Sequence, residues 1–167
     1  MTLNSSQIVL RMPAPRLFTH GVQDDSDPAR GAAQRLKDGP GHAARLLIVE
    51  DDWFIGQEIE AAALAANYAV VGIATSAEAA VQAALDQVPD LVLMDIRLAG
   101  TRDGVEAALE IRERADIPCL FVSAHRDEEV RGRAQAARPA GWLSKPFSDS
   151  QLLSAIRQAL RADGPAT

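Results

Sequence analysis

A single cysteine, Cys119, excludes an internal disulfide and makes a reducing compartment the simpler setting. No apolar run approaches the roughly 20 residues of a membrane span, and the start lacks the basic, apolar and small-residue order of a secretory signal. A cytoplasmic protein is expected. There is no surplus of basic charge either: the formal net charge is -6, with five Lys/Arg against four Asp/Glu in residues 1–43 and twelve against nineteen in 44–167. Without a basic stripe to neutralise phosphates, this surface is a poor match for nucleic acid. Also missing is a Gly-rich phosphate loop after the apolar run Leu46-Leu47-Ile48-Val49, which sets aside a nucleotide or flavin carrier.

What is present fits one ordinary domain with a full core and an appendage, in 167 residues of which 47% are hydrophobic. Residues 1–43 show no sustained periodicity and hold Pro13, Pro15, Pro28 and Pro40, with an Asp-Asp-Ser-Asp-Pro cluster from Asp24 to Pro28. Such a composition buries too little apolar surface to offset its ordering entropy, so a flexible or partly ordered N-terminal extension is expected. Two pieces stand apart: Ile8-Val9-Leu10 could add to a sheet edge, and 29–37 has the composition of one or two helical turns.

From Leu46 the pattern alternates between strand and helix. Leu46-Leu47-Ile48-Val49 reads as a strand buried on both faces, and 54–66 places Ile55, Ile59, Ala62, Ala63 and Ala66 at helical spacing before a stop at Asn67. A strand at 69–74 leads to a helix capped by Ser76, ending near Gln87, with Val81, Ala84, Leu85 and Val88 inward. The turn pair Pro89-Asp90 precedes the strand Leu91-Val92-Leu93-Met94, which ends at Asp95. After a loop at 96–102, Asp103 caps a helix whose Val105, Ala108, Leu109 and Ile111-Arg112 turn toward the core. A fourth strand at 118–122, with Cys119 as an inert core thiol, is followed by a polar helix at 127–137 and a brief strand at 141–143. Ser148 and Gln151 form a capping box for the last helix, whose inner face carries Leu152, Leu153, Ile156, Ala159 and Leu160.

This is the order of a flavodoxin-like doubly wound α/β domain: a five-stranded parallel sheet of order 2-1-3-4-5 with five helices. The domain is expected to span 44–163, followed by a short tail at 164–167, with no effector domain after it.

In such a fold the carboxyl ends of the strands collect the chemistry. They carry Glu50 and Asp51 after the first strand, Asp95 after the third, Ser123 after the fourth and Lys145 after the fifth. Three carboxylates this close repel one another unless a hard divalent cation sits among them, and an all-oxygen site suits magnesium. With Lys145 beside them they make a phosphoryl-transfer site: the cation and the ammonium neutralise phosphoryl oxygens, the Ser123 hydroxyl adds a contact and Asp95 is the nucleophile. Asp52, one position past the pair, suits helix capping better than metal ligation.

On these residues the chain from Arg45 to about Leu160 resembles a stand-alone, chemotaxis-regulator-like receiver domain of the two-component response regulators. The resemblance rests on Ile48-Val49-Glu50-Asp51, Leu93-Met94-Asp95, Ser123-Ala124 and Lys145-Pro146-Phe147, in that order. It implies that Asp95 accepts a phosphoryl group from a sensor histidine kinase or a histidine phosphotransfer protein. Magnesium would be held by Asp51, Asp95 and the backbone carbonyl of Arg97, with Glu50 acting directly or through water. Lys145, Ser123 and Ala124 would bind the phosphoryl group, and the Lys145-Pro146 bond would be cis. Arg97 and His125 fall at the two positions that tune dephosphorylation rate. Trp142 stands where the family usually carries a Tyr or Phe that rotates inward on phosphorylation; an indole is larger, and a half-buried packing role is the competing reading.

Phosphorylation would then act by altering protein binding, or by homodimerisation through the fourth helix, fifth strand and fifth helix, where Arg126, Asp127, Glu128, Glu129, Arg131 and Arg133 suit intermolecular ion pairs. Two other readings of the same residues are a phosphate shuttle or sink without output and a phosphate-independent adaptor. In none of them is the chain an enzyme with a turnover substrate.

Overall fold

The computed structural model describes residues 8–9, 43–124 and 128–162. The expectations for the rest of the N-terminal extension, the C-terminal tail, and His125, Arg126 and Asp127 lie outside the described residues. The elements are β1 (Ile8–Val9), β2 (Arg45–Val49), α1 (Trp53–Ala65), β3 (Ala69–Ala74), α2 (Ala77–Gln87), β4 (Leu91–Met94), α3 (Gly104–Ala115), β5 (Cys119–Ser123), α4 (Glu128–Ala134), β6 (Gly141–Ser144) and α5 (Asp149–Ala162). Five strands run parallel in the order β3-β2-β4-β5-β6, and β1 adds to the outer side of β3. It pairs antiparallel, Ile8 with Ala74 and Val9 with Ile73.

The central strands show why they are apolar without interruption. In β2, Leu47 and Val49 enter a core formed with α2, α3 and Ala134 of α4, whereas Leu46 and Ile48 enter a second core formed with α1 and α5. Val92 and Met94 of β4 alternate with Leu91 and Leu93 in the same way, as do Cys119 and Phe121 of β5 with Leu120 and Val122. A strand covered on both faces cannot carry a polar residue on either without leaving it unsatisfied.

Side chains near the sheet's carboxyl edge cap three of the following helices. Asp52 accepts from the amides of Phe54 (2.9 Å) and Ile55 (3.2 Å), and Ser76 from that of Ala79 (3.2 Å). Asp103 and Glu106 close a reciprocal capping box, with bonds of 3.0 and 2.9 Å. At the start of α5, Ser148 and Gln151 do likewise: the Ser148 amide donates to Gln151 Oε1 at 2.9 Å and the Gln151 amide to Ser148 Oγ at 3.3 Å.

Three local differences from the sequence reading have physical causes. The polar helix expected over 127–137 divides into α4 and a 3-10 turn at Gln135–Ala137. Its buried residues, Ala134 and Ala137, are three apart, the period of a 3-10 helix. β5 begins at Cys119, one residue after the expected start at Pro118, which has no amide to donate to the ladder, and Cys119 is buried. The first helix begins at Trp53, so that Trp53 and Phe54 stand on the surface at 64% and 74% exposure, their rings edge to face at 5.0 Å.

Candidate functional site

Parallel pairing brings the ends of β2, β4 and β6 level with one another. The Asp95 amide donates to the Val49 carbonyl at 2.9 Å and the Lys145 amide to the Ser123 carbonyl at 3.0 Å, so the residue after each strand projects from one edge. Glu50, Asp51 and Asp95 meet there, each offering a carboxylate oxygen within 4.8 Å of the others. Glu50 and Asp95 are 2% and 7% exposed, whereas Asp51 is open to solvent. Lys145 reaches across the sheet into this cluster. Its Nζ lies 2.5 Å from Glu50 Oε2 and 2.7 Å from Asp95 Oδ2.

The electrostatics follow from burial. Burial pushes the Glu50 carboxyl above its ordinary value, and the Asp95 charge adds to this, while the Lys145 hydrogen bond and the Asp52 amide at 3.3 Å oppose it. For Lys145, burial by itself would disfavour the charged form. Its hydrogen bonds to Asp95 and Glu50, and their charges, outweigh that and raise it above the usual lysine value. The site therefore holds a firmly charged ammonium between two largely buried carboxylates.

The donor set fits a hard divalent cation. All three candidate ligands are oxygens, and one of them faces solvent, leaving room for coordinated water, as magnesium prefers. Asp52 is committed elsewhere, since Oδ1 caps α1.

The remaining candidates surround this centre. The Arg97 amide donates to Asp95 Oδ1 at 3.2 Å, and the Arg97 side chain is exposed. Ser123 is buried at the end of β5, Ala124 follows it on the surface, and the Lys145-Pro146 bond is cis. Trp142 is half-buried on β6, stacked on Phe121 at a centroid distance of 4.7 Å and an interplanar angle of 23°, with the Arg131 guanidinium 5.0 Å from its ring.

One residue that matters to the site escaped the sequence reading. A Cβ on Gly104 would lie 1.8 Å from the Asp95 carbonyl oxygen, and the Gly104 amide donates to the Ile96 carbonyl at 2.8 Å. The first turn of α3 is therefore seated on the backbone of Asp95. The available signal was a glycine opening a helix, a position where its backbone freedom is a cost unless another backbone must approach closely.

A family model, described as the response regulator receiver domain, matches residues 46–157. The chain belongs to that family. It is 35% identical over 116 residues to the transcriptional regulatory protein PdtaR of Mycobacterium tuberculosis, covering 70% of this chain and 56% of that one. It is 31% identical over 119 residues to the phyllosphere-induced regulator PhyR of Methylorubrum extorquens, covering 71% and 44%. The chain thus spans about half the length of these relatives. Among solved structures, the signal receiver domain of a modulated diguanylate cyclase from Desulfovibrio desulfuricans superposes with a TM-score of 0.67 at 32% identity, covering 72% of this chain and 95% of that one. A putative response regulator from Chloroflexus aurantiacus gives a TM-score of 0.65 at 28% identity, covering 72% and 99%. Their shared architecture is the flavodoxin-like, chemotaxis-regulator-type sheet of order 2-1-3-4-5; β1 is an addition at its edge.

Among the described residues no helix is long and apolar enough to cross a membrane.

Proposed function

We propose that this receiver domain accepts a phosphoryl group on Asp95 from a phosphohistidine on a sensor kinase or phosphotransfer protein. The observation that carries this reading is the Lys145 ammonium held between Glu50 and Asp95, beside an acidic cluster suited to magnesium. In the transfer an Asp95 carboxylate oxygen forms the new bond to phosphorus while the donor's P–N bond breaks and its electron pair returns to the imidazole nitrogen. Lys145 is placed to leave its contact with Asp95 Oδ2 for a phosphoryl oxygen, and the amide of Arg97 steadies Oδ1. Glu50, Asp51 and Asp95, with the Arg97 carbonyl that the family resemblance adds, would hold magnesium; when bound it supplies neutralisation of the equatorial phosphoryl oxygens. The chain is itself the modified product, so it acts as a switch and not as an enzyme with a turnover substrate. Its readout is altered binding of another protein, or of a second copy, at the face made by α4, β6 and α5.

The test is incubation with a radiolabelled phosphohistidine donor. Asp95→Asn is expected to abolish acid-stable, base-labile label on the protein, and chelating magnesium to suppress it in the wild type. Undiminished labelling of Asp95→Asn would overturn the assignment.

A further inference from the structure

The path from Asp95 toward α4 runs through a second set of contacts, apart from the strand ends. Gly104 lets the first turn of α3 lie directly against the Asp95 carbonyl, where a Cβ would come within 1.8 Å of the oxygen. Asp103, immediately before it, divides its carboxylate. Oδ1 accepts the Glu106 amide at 3.0 Å and caps α3, whereas Oδ2 pairs with Arg133 Nη2 on α4 at 2.8 Å.

Few residues of α4 are buried. Of its seven residues only Ala134 is buried, and Val130 is partly buried against the same core. Helices in proteins are held chiefly by an apolar face, and this one has little. A second arginine also reaches a neighbour: Arg131 lies over the Trp142 ring on β6. Two residues apart on a helix, Arg131 and Arg133 point in different directions, and they fasten the helix to two different neighbours.

We propose that the Arg133–Asp103 pair is a clasp that holds α4 in its resting seat and couples that seat to the acceptor backbone through Gly104. The side chains are 45% and 30% exposed, so the pair is partly screened and its contribution modest. A modest contribution is appropriate to a clasp that must open. Charge arriving at Asp95 disturbs the backbone on which α3 is seated, and the contact it loads is the one at Asp103. On this proposal the clasp is released in the phosphorylated form, so by linkage its removal must favour binding of a phosphoryl mimic. The coupling to Asp95 rests on the acceptor reading above; the hold on α4 does not.

The test pairs Arg133→Gln with Asp103→Asn, since Asn keeps the helix cap while removing the charge. Amide hydrogen exchange across 128–134 in the protein without ligand is expected to quicken by about two- to fivefold in either single variant, with no further increase in the double variant. Unchanged exchange, or effects that add, would overturn the clasp. Calorimetric titration with beryllofluoride and magnesium is expected to give binding about two- to fivefold tighter in the same variants. Weaker or equal binding, with faster exchange, would overturn the coupling. A wild-type protein that does not bind beryllofluoride at all would sink the acceptor reading instead, and the exchange data would still decide the clasp.

Discussion

The two sides of the sheet are built to different standards. β2, β4 and β5 are buried along nearly their whole length and alternate between two apolar cores, whereas every residue of β6 is half-exposed. Likewise α3 places Val105, Ala107, Ala108 and Ile111 out of solvent, while α4 on the flank buries Ala134 alone. The difference separates two tasks. The side that carries Glu50 and Asp95 holds the acidic cluster in place, and rigid packing serves that. The flank that carries Trp142, Arg131 and Arg133 is fastened by one stacked ring and two exposed guanidinium contacts, which can be exchanged without disrupting a core.

The stacked pair Phe121 and Trp142 spans the boundary, and truncating each member measures the contrast. Phe121→Ala, at a fully buried position, is expected to cost about 3–5 kcal/mol in urea unfolding. Trp142→Ala, at a half-buried one, should cost about 2 kcal/mol despite the larger ring. Equal losses would mean that the flank is as tightly packed as the centre.

A smaller effect is expected from Gly104→Ala. The added methyl meets the Asp95 carbonyl, a backbone atom that can only move with its strand, so the expected cost is about 1–3 kcal/mol, with weakened magnesium binding alongside. A variant of unaltered stability and metal affinity would show that α3 is not seated on the acceptor.

The smallest effect is a slope. Burial holds Glu50 above the ordinary carboxyl value of 4.5, so the folded chain binds that proton more tightly than the unfolded one. Its stabilising contribution is complete below the unfolded value and is lost as pH rises through the folded value. Lys145, raised above 10.5, contributes below that value and loses its contribution only as pH rises further, well outside this window. Without added metal, Glu50→Gln is therefore expected to flatten the decline in urea midpoint that the wild type shows as pH rises from near 4.5. Parallel profiles would remove Glu50 as its source. Magnesium must displace the same proton, so its affinity in the wild type should climb over that window.

Much of the parallel core and of the acidic site was legible in the sequence, for a physical reason. Strands buried on both faces demand continuous apolar runs, and residues such as Glu50, Asp95 and Lys145 become visible as the polar groups that end them. Caps such as Asp52, Ser76 and Asp103 are equally local, because one side chain answers to amides two or three positions on. What was not legible depends on approach between distant segments. Gly104 against the Asp95 carbonyl and the division of Asp103 between its own helix and Arg133 are set by how elements dock; Ile8-Val9 could be read as a candidate edge strand, but not which strand it would join. The surface placement of Phe54 belongs to the same class: helical spacing locates it in α1, but not relative to a neighbour that would cover it.

The two tryptophans have a practical consequence. Trp53 stands largely in solvent at the start of α1, its ring against Phe54, and Trp142 lies between Phe121 and Arg131. Their emission should differ in colour and in access to a dissolved quencher such as iodide, which reaches the first indole far more readily than the second. The unlabelled protein thus carries two optical probes in different surroundings, one exposed at the start of α1 and one stacked on β6, and both can be followed in a single cuvette as a phosphoryl mimic is added.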